Sequence, residues 1–469
     1  MNPETPKKFQ ILEKVISQIP PKIINSFGNT MYAGNYRYSL SKYYEILKMI
    51  IAKYQTNPLI ASITNIDISQ YLIWKLQNSY HVEISQNTIR IASVPLVEQK
   101  SPEWFRLRED MISASDAGYF LKKCGAGRAM DTLRIKIGLK KYANSTAPPL
   151  MHGNTYEDIT RAIYESRNKV SVEEYGILPS PSHFIGASPD GIITKCHDPN
   201  DWECQARLGR LLEIKNPYSR EIDETIKPEY MVQILQQQYT TAIPVCDFVE
   251  TTIVDKYCRL GDSNYRAYET LEDMLADRLD PKNLSRIKNH NIPIGNLTKF
   301  GFEKGVVLWY QRIISVSDIR NRYILYPLSA PYDLLSIEKW VVDMNSTQFN
   351  DQYIFKEAKY WRLEVYSEKT VIYDQKLYEE EYIPILSKVW DIIIKCREII
   401  SADGDIEQYL AEIETTPGNP FYNDNKVKKN GKMKMGAIGS NRTGKRSSRE
   451  DSSNDADSTC AEMDYEIDM

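Results

Sequence analysis

The stretch that decides the fold is Leu211-Leu212-Glu213-Ile214-Lys215, in which apolar and charged side chains alternate. Alternation with a period of two predicts a half-buried β-strand, so Glu213 and Lys215 project from the same face of that strand. A Glu-x-Lys pair on a strand is usually a solvated surface. The pair therefore gains a chemical meaning only from the acidic residues that precede it in the chain.

Two such acidic residues lie upstream of the strand. Glu157 ends the stretch Met151-His-Gly-Asn-Thr-Tyr-Glu157 in a predicted helix, and Asp190 lies in Ser188-Pro-Asp190-Gly191, which predicts a turn. Carboxylate oxygens are the ligands that Mg²⁺ prefers, and a nearby lysine can position or deprotonate an attacking water. Together these residues predict a magnesium site that cuts phosphodiester bonds.

The order of the motifs resembles the PD-(D/E)xK nuclease superfamily and, within it, the phage lambda exonuclease or YqaJ-type viral recombinase family. The motifs that carry this resemblance are Trp104-Phe-Arg-Leu-Arg108, Ile112-Ser-Ala-Ser115, Gly153-Asn-Thr-Tyr156-Glu157, Ser188-Pro-Asp190-Gly191, Leu212-Glu213-Ile-Lys215-Asn-Pro217 and Tyr230-Met-Val-Gln233. Several short motifs in one order are far more specific than any single one. The resemblance covers residues 101–257 and implies a member from a large DNA virus.

The resemblance implies a Mg²⁺-dependent 5′→3′ exonuclease that hydrolyses double-stranded DNA in recombination, repair or replication. Asp190, Glu213 and the backbone carbonyl of Ile214 would ligate one ion. Asp190 and Glu157 would hold a second ion, so that both the attacking and the leaving oxygen are stabilised. We expect two Mg²⁺ ions as cofactors, and Mn²⁺ as a substitute for them.

Two further residues have catalytic roles by the same resemblance. Lys215 would orient or deprotonate the attacking water, and Gln233 would hydrogen-bond that water or the lysine. The alternative for Lys215 is an ion pair with Glu213, and the two interpretations are compatible. The alternative for Gln233 is an ordinary polar helix face, because glutamines also occupy positions 236–238.

A second group of residues matches the site that grips a terminal 5′-phosphate in lambda-type enzymes. Arg108, Ser115 and Ser188 supply a guanidinium and two hydroxyls, which together suit an anion. Arg161, one helical turn after Glu157, is a further candidate for DNA binding. The alternatives are a surface ion pair for Arg108 and a plain helix cap for Ser115.

The sequence is compatible with other functions, and its partners are known only as expectations. A structure-specific or flap endonuclease would use the same core, and a non-catalytic virion DNA-binding protein would retain only the fold. A restriction-type endonuclease would need base-reading elements that the sequence does not reveal. The expected partner is double-stranded DNA with free ends. A ring trimer and a single-strand annealing protein are implied by the family alone.

Composition limits the class of protein. Hydrophobic residues make up 42% of the 469 residues, and no apolar run is long enough to span a bilayer, so we expect no membrane partner. The net charge of −4 requires any DNA-binding groove to be locally basic. The scattered cysteines predict no disulfide framework and no iron–sulfur cluster, and Cys196, His197 and Cys204 are too few for a zinc site. We expect a location in the host cytoplasm or nucleus, or packaging in the virion.

The expected fold class is α/β, a restriction-endonuclease-like core with a central mixed sheet flanked by helices. The predicted organisation is a mostly helical region at 1–100, a nuclease core at 101–258, an insertion at 259–353, closing strands and a helix at 354–415, and a disordered tail at 416–469 that is first basic and then acidic. Within the core, the patterns predict an irregular basic segment over 127–149 and a helix that Ser115 caps. Strands are predicted at 174–178, 183–187 and 211–215, a helix at 229–241 and a strand at 248–256.

Overall fold

The computed structural model describes residues 7–17, 47–49, 51–52, 56, 58–68, 70–71, 90–97, 101–124, 128–140, 148–180, 182–223, 225–256, 268–277, 288–289, 303–315, 318–346 and 353–422. Most of the predicted helical region at 1–100 lies outside the described residues. The predicted disordered tail also lies outside them, apart from residues 416–422.

The described α-helices are α1 (Lys7–Ser17), α2 (Pro58–Ala61), α3 (Pro102–Glu109), α4 (Ala114–Phe120), α5 (Arg128–Lys136), α6 (Pro148–Asn168), α7 (Trp202–Arg207), α8 (Pro228–Thr241), α9 (Leu271–Ala276), α10 (Leu334–Ser346), α11 (Ile383–Ser401) and α12 (Ile406–Thr415). A π-helical stretch, Lys376–Tyr382, leads into α11. None of the described helices combines the length and the apolar character needed to cross a membrane.

The strands are β1 (Ile112–Ser113), β2 (Val170–Glu173), β3 (Leu178–Pro179), β4 (Ile185–Ala187), β5 (Gly191–Cys196), β6 (Leu211–Lys215), β7 (Val245–Val254), β8 (Lys288–Asn289), β9 (Lys304–Ser315), β10 (Asp318–Leu325) and β11 (Ile354–Ile372). The main sheet has the order β10-β9-β11-β7-β6-β5-β2, with β8 beside β11. Its β6–β7 pair is parallel and its β5–β6 pair is antiparallel. The predicted α/β class with a central mixed sheet is confirmed.

Strand β6 lies in the middle of this sheet and is more deeply buried than its alternation predicts. Leu212 and Ile214 pack against α6, whereas Leu211 belongs to the cluster that includes Tyr230 and Ile234 of α8. All five residues of β6 are buried, because a helix covers each face of the sheet. The prediction that β6 is half-buried was therefore wrong, although the period of two does place Glu213 and Lys215 on one face. That face is the α8 side.

Three local predictions in the first half of the core were wrong. The segment 127–149 is not irregular, because residues 128–136 form helix α5, whose Leu133 and Ile135 are buried. Helix α4 is capped by Ser113, not by Ser115; the Ser113 hydroxyl donates to Asp116 at 2.7 Å. Strand β5 directly follows the Pro-Asp-Gly turn, where the pattern of hydrophobic residues had predicted no strand.

The segment expected to be an insertion supplies part of the main sheet. Strand β9 pairs antiparallel with β11 and with β10, so these two strands, β9 and β10, extend the same sheet rather than forming a separate layer. Strand β11 is a single strand of 19 residues that spans β7 and β9. The domain boundaries themselves stay a prediction.

The cysteines were predicted to form no disulfide framework, and one isolated disulfide is present among the described residues. Cys196 at the end of β5 and Cys204 in α7 are joined by a disulfide, with their Cα atoms 5.6 Å apart. The turn between them returns the chain towards β5, as Asp201 caps α7 by accepting from the backbone N–H of Glu203. Sequence spacing alone did not reveal that this turn brings the two sulfurs together.

Candidate active site

A cavity of about 190 Å³ lies where the carboxyl end of β6, the turn before β5 and the amino-terminal parts of α4 and α6 meet. Most of the residues predicted as functional line this cavity. Those residues are Arg108, Ser115, Glu157, Ser188, Asp190, Ile214, Lys215 and Gln233. Positions that are far apart in the sequence therefore share one cavity.

The Pro-Asp-Gly turn places Asp190 against β6. Its Oδ2 atom accepts a hydrogen bond of 2.6 Å from the backbone N–H of Ile214. The next residue, Gly191, pairs with Leu212 in the sheet, and a Cβ atom there would lie 2.1 Å from Cγ1 of Val172. Close packing of β2 therefore requires glycine at this position, which fixes the turn and the aspartate before it.

Glu213 lies behind the cavity wall and is fully buried. Its Oε1 atom is 3.1 Å from Nζ of Lys215, and its Oε2 atom accepts a hydrogen bond of 2.6 Å from Nε2 of Gln237. Lys215 in turn lines the cavity, with its Nζ atom 5.3 Å from the ring centre of Tyr230. The ion pair weighed as the alternative for Lys215 is thus present, in a position that also exposes the ammonium to the cavity.

The acidic residues of the site repel one another. Burial, followed by the carboxylates of Glu213 and Glu157, raises the pKa of Asp190 well above its usual range. Burial raises the pKa of Glu157, and the neighbouring carboxylates of Asp158 and Glu213 raise it further. A cation among these carboxylates would relieve both burial and repulsion, because it stabilises the ionised forms.

The donor set has the chemistry of a site for a hard divalent cation, since it offers carboxylate oxygens and a backbone carbonyl. The cavity is lined by Asp190, by Glu157 and by Ile214, whose backbone carbonyl is the third donor. Glu213 lies directly behind the cavity. Within the described ranges, no three acidic, histidine or cysteine side chains are already gathered closely enough to hold a metal ion by themselves.

Helix α8 contributes a residue that the sequence motif did not single out. Gln233 lines the cavity as predicted. Gln237, one turn further along the same helix face, makes the hydrogen bond to Glu213. Its neighbours have different partners, because Gln236 donates to the carbonyls of Ile112 and Gly186. The spacing of four residues between positions 233 and 237 was the available signal, but the run of three glutamines concealed it.

A second part of the cavity wall holds the predicted anion site. Nη2 of Arg108 donates to Oγ of Ser115 at 3.0 Å and to Oγ of Ser113 at 3.1 Å. The guanidinium lies over the ring of Trp104 at 4.7 Å, and Arg108 is 5% exposed. The surface ion pair weighed as the alternative is therefore not the arrangement seen. Ser113 is a second residue that the motif comparison did not single out.

Arg161 does not reach the cavity. Its guanidinium pairs with Asp158 on the same helix and with Glu174 after β2. The residue follows Glu157 by four positions, but the α6 axis carries it away from the turn that bears Asp190. The other predicted phosphate ligand, Ser188, lines the cavity and donates to the carbonyl of Tyr175 at 3.4 Å.

Comparison with known proteins shows what this core is similar to. Residues 103–244 match the YqaJ-like viral recombinase domain. The chain is also 28% identical over 354 residues to the uncharacterized protein R354 of Acanthamoeba polyphaga mimivirus, an alignment that covers 69% of this chain and 57% of that protein. The chain thus spans little more than half the length of this relative.

Solved structures give looser similarities. An alkaline exonuclease (LHK-Exo) from Laribacter hongkongensis is 16% identical, covers 65% of this chain and 97% of its own, and superposes with a TM-score of 0.33. The structure of LHK-Exo in complex with dAMP is 24% identical over 32% of this chain and 73% of its own, with a TM-score of 0.26. The match confirms the motif-based resemblance: residues 103–244 are similar to the YqaJ-like viral recombinase domain, and the mimivirus relative is in accord with a large DNA virus member.

Proposed function

We propose that this chain is a Mg²⁺-dependent exonuclease that degrades double-stranded DNA in the 5′→3′ direction during recombination or repair. The observation that carries the proposal is the shared cavity. Acidic residues and Lys215 occupy one wall, and Arg108 with its serine partners occupies the other. A strand whose terminal phosphate is held by the second wall would present its backbone to the first.

The acidic wall suits the binding of divalent cations. Asp190, Glu213 and the carbonyl of Ile214 would hold one ion, and Glu157 with Asp190 would hold a second. A bound Mg²⁺ supplies Lewis-acid activation of the scissile phosphate and makes an adjacent water more acidic. The hydrogen bonds from Ile214 N–H and from Gln237 fix the orientation of two of these carboxylates before any ligand arrives.

Lys215 is positioned to act on the attacking water. Its ammonium is held 3.1 Å from Glu213 and is buried against Tyr230, which fixes its direction into the cavity. Such a lysine can orient the water and neutralise charge on the phosphate as the new bond forms. Gln233, on the same side of the cavity, would donate or accept one further hydrogen bond to that water.

The arginine–serine wall would bind the 5′-phosphate that begins each cycle of digestion. A guanidinium that is already held by two hydroxyls and an indole ring loses little further freedom when it binds an anion. A terminal phosphate carries more negative charge than an internal one. The site should therefore favour strand ends over internal positions.

The proposal is tested with linear duplexes that carry either a 5′-phosphate or a 5′-hydroxyl, and with closed circular duplex, each incubated with Mg²⁺ or with a chelator. We expect digestion that starts at 5′-phosphorylated ends, requires Mg²⁺ and spares the circle. Rapid nicking of closed circles would instead indicate an endonuclease, and no cleavage of any substrate would indicate a DNA-binding protein.

The chain offers a matched pair of arginine variants for this experiment. Arg108→Ala removes the guanidinium inside the cavity, whereas Arg161→Ala removes one that pairs with Asp158 and Glu174 outside it. The first variant should lose the preference for a 5′-phosphate, and the second should keep it. Equal behaviour of the two variants would contradict the assignment of the anion site.

A further inference from the structure

We infer that Lys136, a lysine that does not line the cavity, acts together with Asp116 as a positioning residue that holds Arg108 ready to bind a phosphate. This inference rests on the proposed function, because it assigns Arg108 the role of phosphate ligand. It adds two residues to the site for which neither the motifs nor the family match supplies a role. Neither residue is itself a ligand of DNA.

The three side chains form one buried cluster. Asp116, in the first turn of α4, is fully buried, and its Oδ2 atom is 2.6 Å from Nζ of Lys136. Its Oδ1 atom is 3.4 Å from Nη2 of Arg108. Lys136 also donates to the backbone carbonyl of Arg108. The lysine therefore contacts both the main chain of Arg108 and the carboxylate that anchors its side chain.

The cluster also joins the ends of three helices. Arg108 lies in the last turn of α3 and Lys136 ends α5, while Asp116 belongs to the first turn of α4. Cations at the carboxyl ends and an anion at the amino end each interact favourably with the helix dipoles. Arg397 of α11, beyond the matched family segment, donates to the carbonyls of Glu109 at 2.7 Å and Lys136 at 2.9 Å.

The sharing of one carboxylate has an electrostatic consequence for the cavity. Burial opposes ionisation of Asp116, but Lys136 and Arg108 together lower its pKa, so this carboxylate is charged. If Arg108 were the sole cation beside Asp116, the Arg108–Asp116 pair would carry almost no net charge. It would then attract an incoming phosphate weakly. Because Lys136 takes the shorter contact with Asp116, the guanidinium keeps more of its charge for an anion in the cavity.

Stability alone does not account for such a cluster. A buried ion pair often stabilises a fold no more than apolar side chains of the same volume would. Asp116 and Lys136 are both fully buried, and they lie behind the guanidinium of Arg108, which lines the cavity. The two residues are better explained by the position they give that guanidinium. The arrangement matches the general need of binding sites for a supporting layer of fixed side chains.

The inference is tested by binding, with no cleavage and no metal. In the presence of a chelator, the Kd of the full chain is measured for fluorescent duplexes with a 5′-phosphate or a 5′-hydroxyl end. The variants are Lys136→Met and the double variant Asp116→Asn/Lys136→Met, which removes both members of the buried ion pair. Arg134→Met is the matched control, because Arg134 lies on the same helix but pairs with Glu407 at the surface.

In both Lys136 variants Arg108 loses side-chain or main-chain contacts that hold it in place. We therefore expect the preference of the wild-type chain for the 5′-phosphate to fall about tenfold, which is the loss of roughly one charge-assisted hydrogen bond. The Kd for the 5′-hydroxyl duplex should not change, and Arg134→Met should behave as the wild type. The melting temperature of each variant shows whether it is folded. If Lys136→Met is not folded, the double variant provides the test.

The outcomes separate the two proposals. A wild-type chain with equal Kd values for both duplexes would overturn the phosphate grip itself and this inference with it. A wild-type preference that is lost in Arg108→Ala but is retained in the folded Lys136 variants overturns only the positioning role. A parallel weakening of both duplexes, without a change in their ratio, would likewise show that Lys136 serves the fold and not the site.

Discussion

The carboxylate of Asp190 accepts a hydrogen bond of 2.6 Å from the backbone N–H of Ile214, and this contact joins the turn before β5 to the strand that carries Glu213 and Lys215. A buried carboxylate needs such a donor, because it has lost its hydration. The bond holds Asp190 beside Glu213 despite the repulsion that raises the pKa of Asp190. The geometry of the acidic wall is thus set by the sheet.

Lys215→Met should reduce cleavage by about a thousandfold, in the middle of the range for loss of a general acid or base. The affinity for DNA should change little, because the phosphate grip lies on the other wall of the cavity. Single-turnover cleavage with Mg²⁺ and Kd values with a chelator measure the two effects separately. Lys195→Met is the control, since Lys195 is exposed on β5. Undiminished cleavage by Lys215→Met would remove the lysine from the mechanism.

Gln237→Leu should reduce the turnover rate by about ten- to a hundredfold, as is usual when a residue that orients a metal ligand is lost. The reason is that Gln237 donates to Oε2 of Glu213 and so fixes the orientation of that carboxylate. Turnover at saturating Mg²⁺ and the Mg²⁺ concentration for half-maximal rate are the quantities to measure.

Gln238→Leu provides the matched comparison for that experiment. Gln238 donates to the carbonyls of Pro244 and Val371, away from the acidic wall. Its loss should cost about 1–3 kcal/mol of stability and leave turnover of the folded protein unchanged. If both variants lower turnover equally, Gln237 is a structural residue of α8 and not a support for Glu213.

The stability of the fold should depend on pH through His152, which is packed against Tyr156 and Tyr218. Burial lowers the pKa of His152 from 6.5 to about 4. Above pH 6.5 the imidazole is neutral in both states, so its contribution is complete. Below pH 6.5 the unfolded chain binds a proton that the folded chain does not, and stability falls until about pH 4, by roughly 3 kcal/mol in total.

Urea denaturation of the wild type and of His152→Phe at several pH values isolates this effect. The variant should lose less stability than the wild type between pH 6.5 and about pH 4, because its aromatic ring does not titrate. Taking the difference between the two proteins removes the contributions of the acidic residues, which they share. Parallel curves for both proteins would contradict the burial of a neutral imidazole.

Divalent cations should stabilise the protein more strongly as the pH rises. The raised pKa values of Asp190 and Glu157 mean that their contribution to stability is complete at low pH and is lost as the pH rises through the folded-state pKa. A cation binds the ionised carboxylates and restores that loss. The shift of melting temperature caused by MgCl₂ should therefore be larger at about pH 9 than at about pH 6. A shift that is equal at both pH values, or absent, would contradict this linkage.

Local patterns in the sequence were sufficient to predict the positions that meet in the cavity. The alternation in β6 put Glu213 and Lys215 on one face, and the motif order supplied Asp190, Glu157 and Arg108. These positions come together because each motif fixes its own backbone conformation, while the sheet brings the motifs together.

Other features depend on contacts between distant segments, which no local pattern encodes. Lys136 belongs to the segment predicted to be irregular and basic, yet its side chain is buried against Asp116. Gln237 was indistinguishable from its neighbours until the position of Glu213 was known. Strands β9 and β10 were assigned to an insertion, because nothing in their own sequence shows that β11 pairs with both β7 and β9.

The proposed reaction centre is tested most directly by locating a bound cation. Crystals of the chain grown with MnCl₂ would be examined by anomalous scattering at the manganese absorption edge. We expect a peak bounded by the carboxylates of Asp190 and Glu213 and the carbonyl of Ile214, and its loss in Asp190→Asn. A fully occupied manganese site elsewhere in the chain, with none between these groups, would contradict the proposed reaction centre.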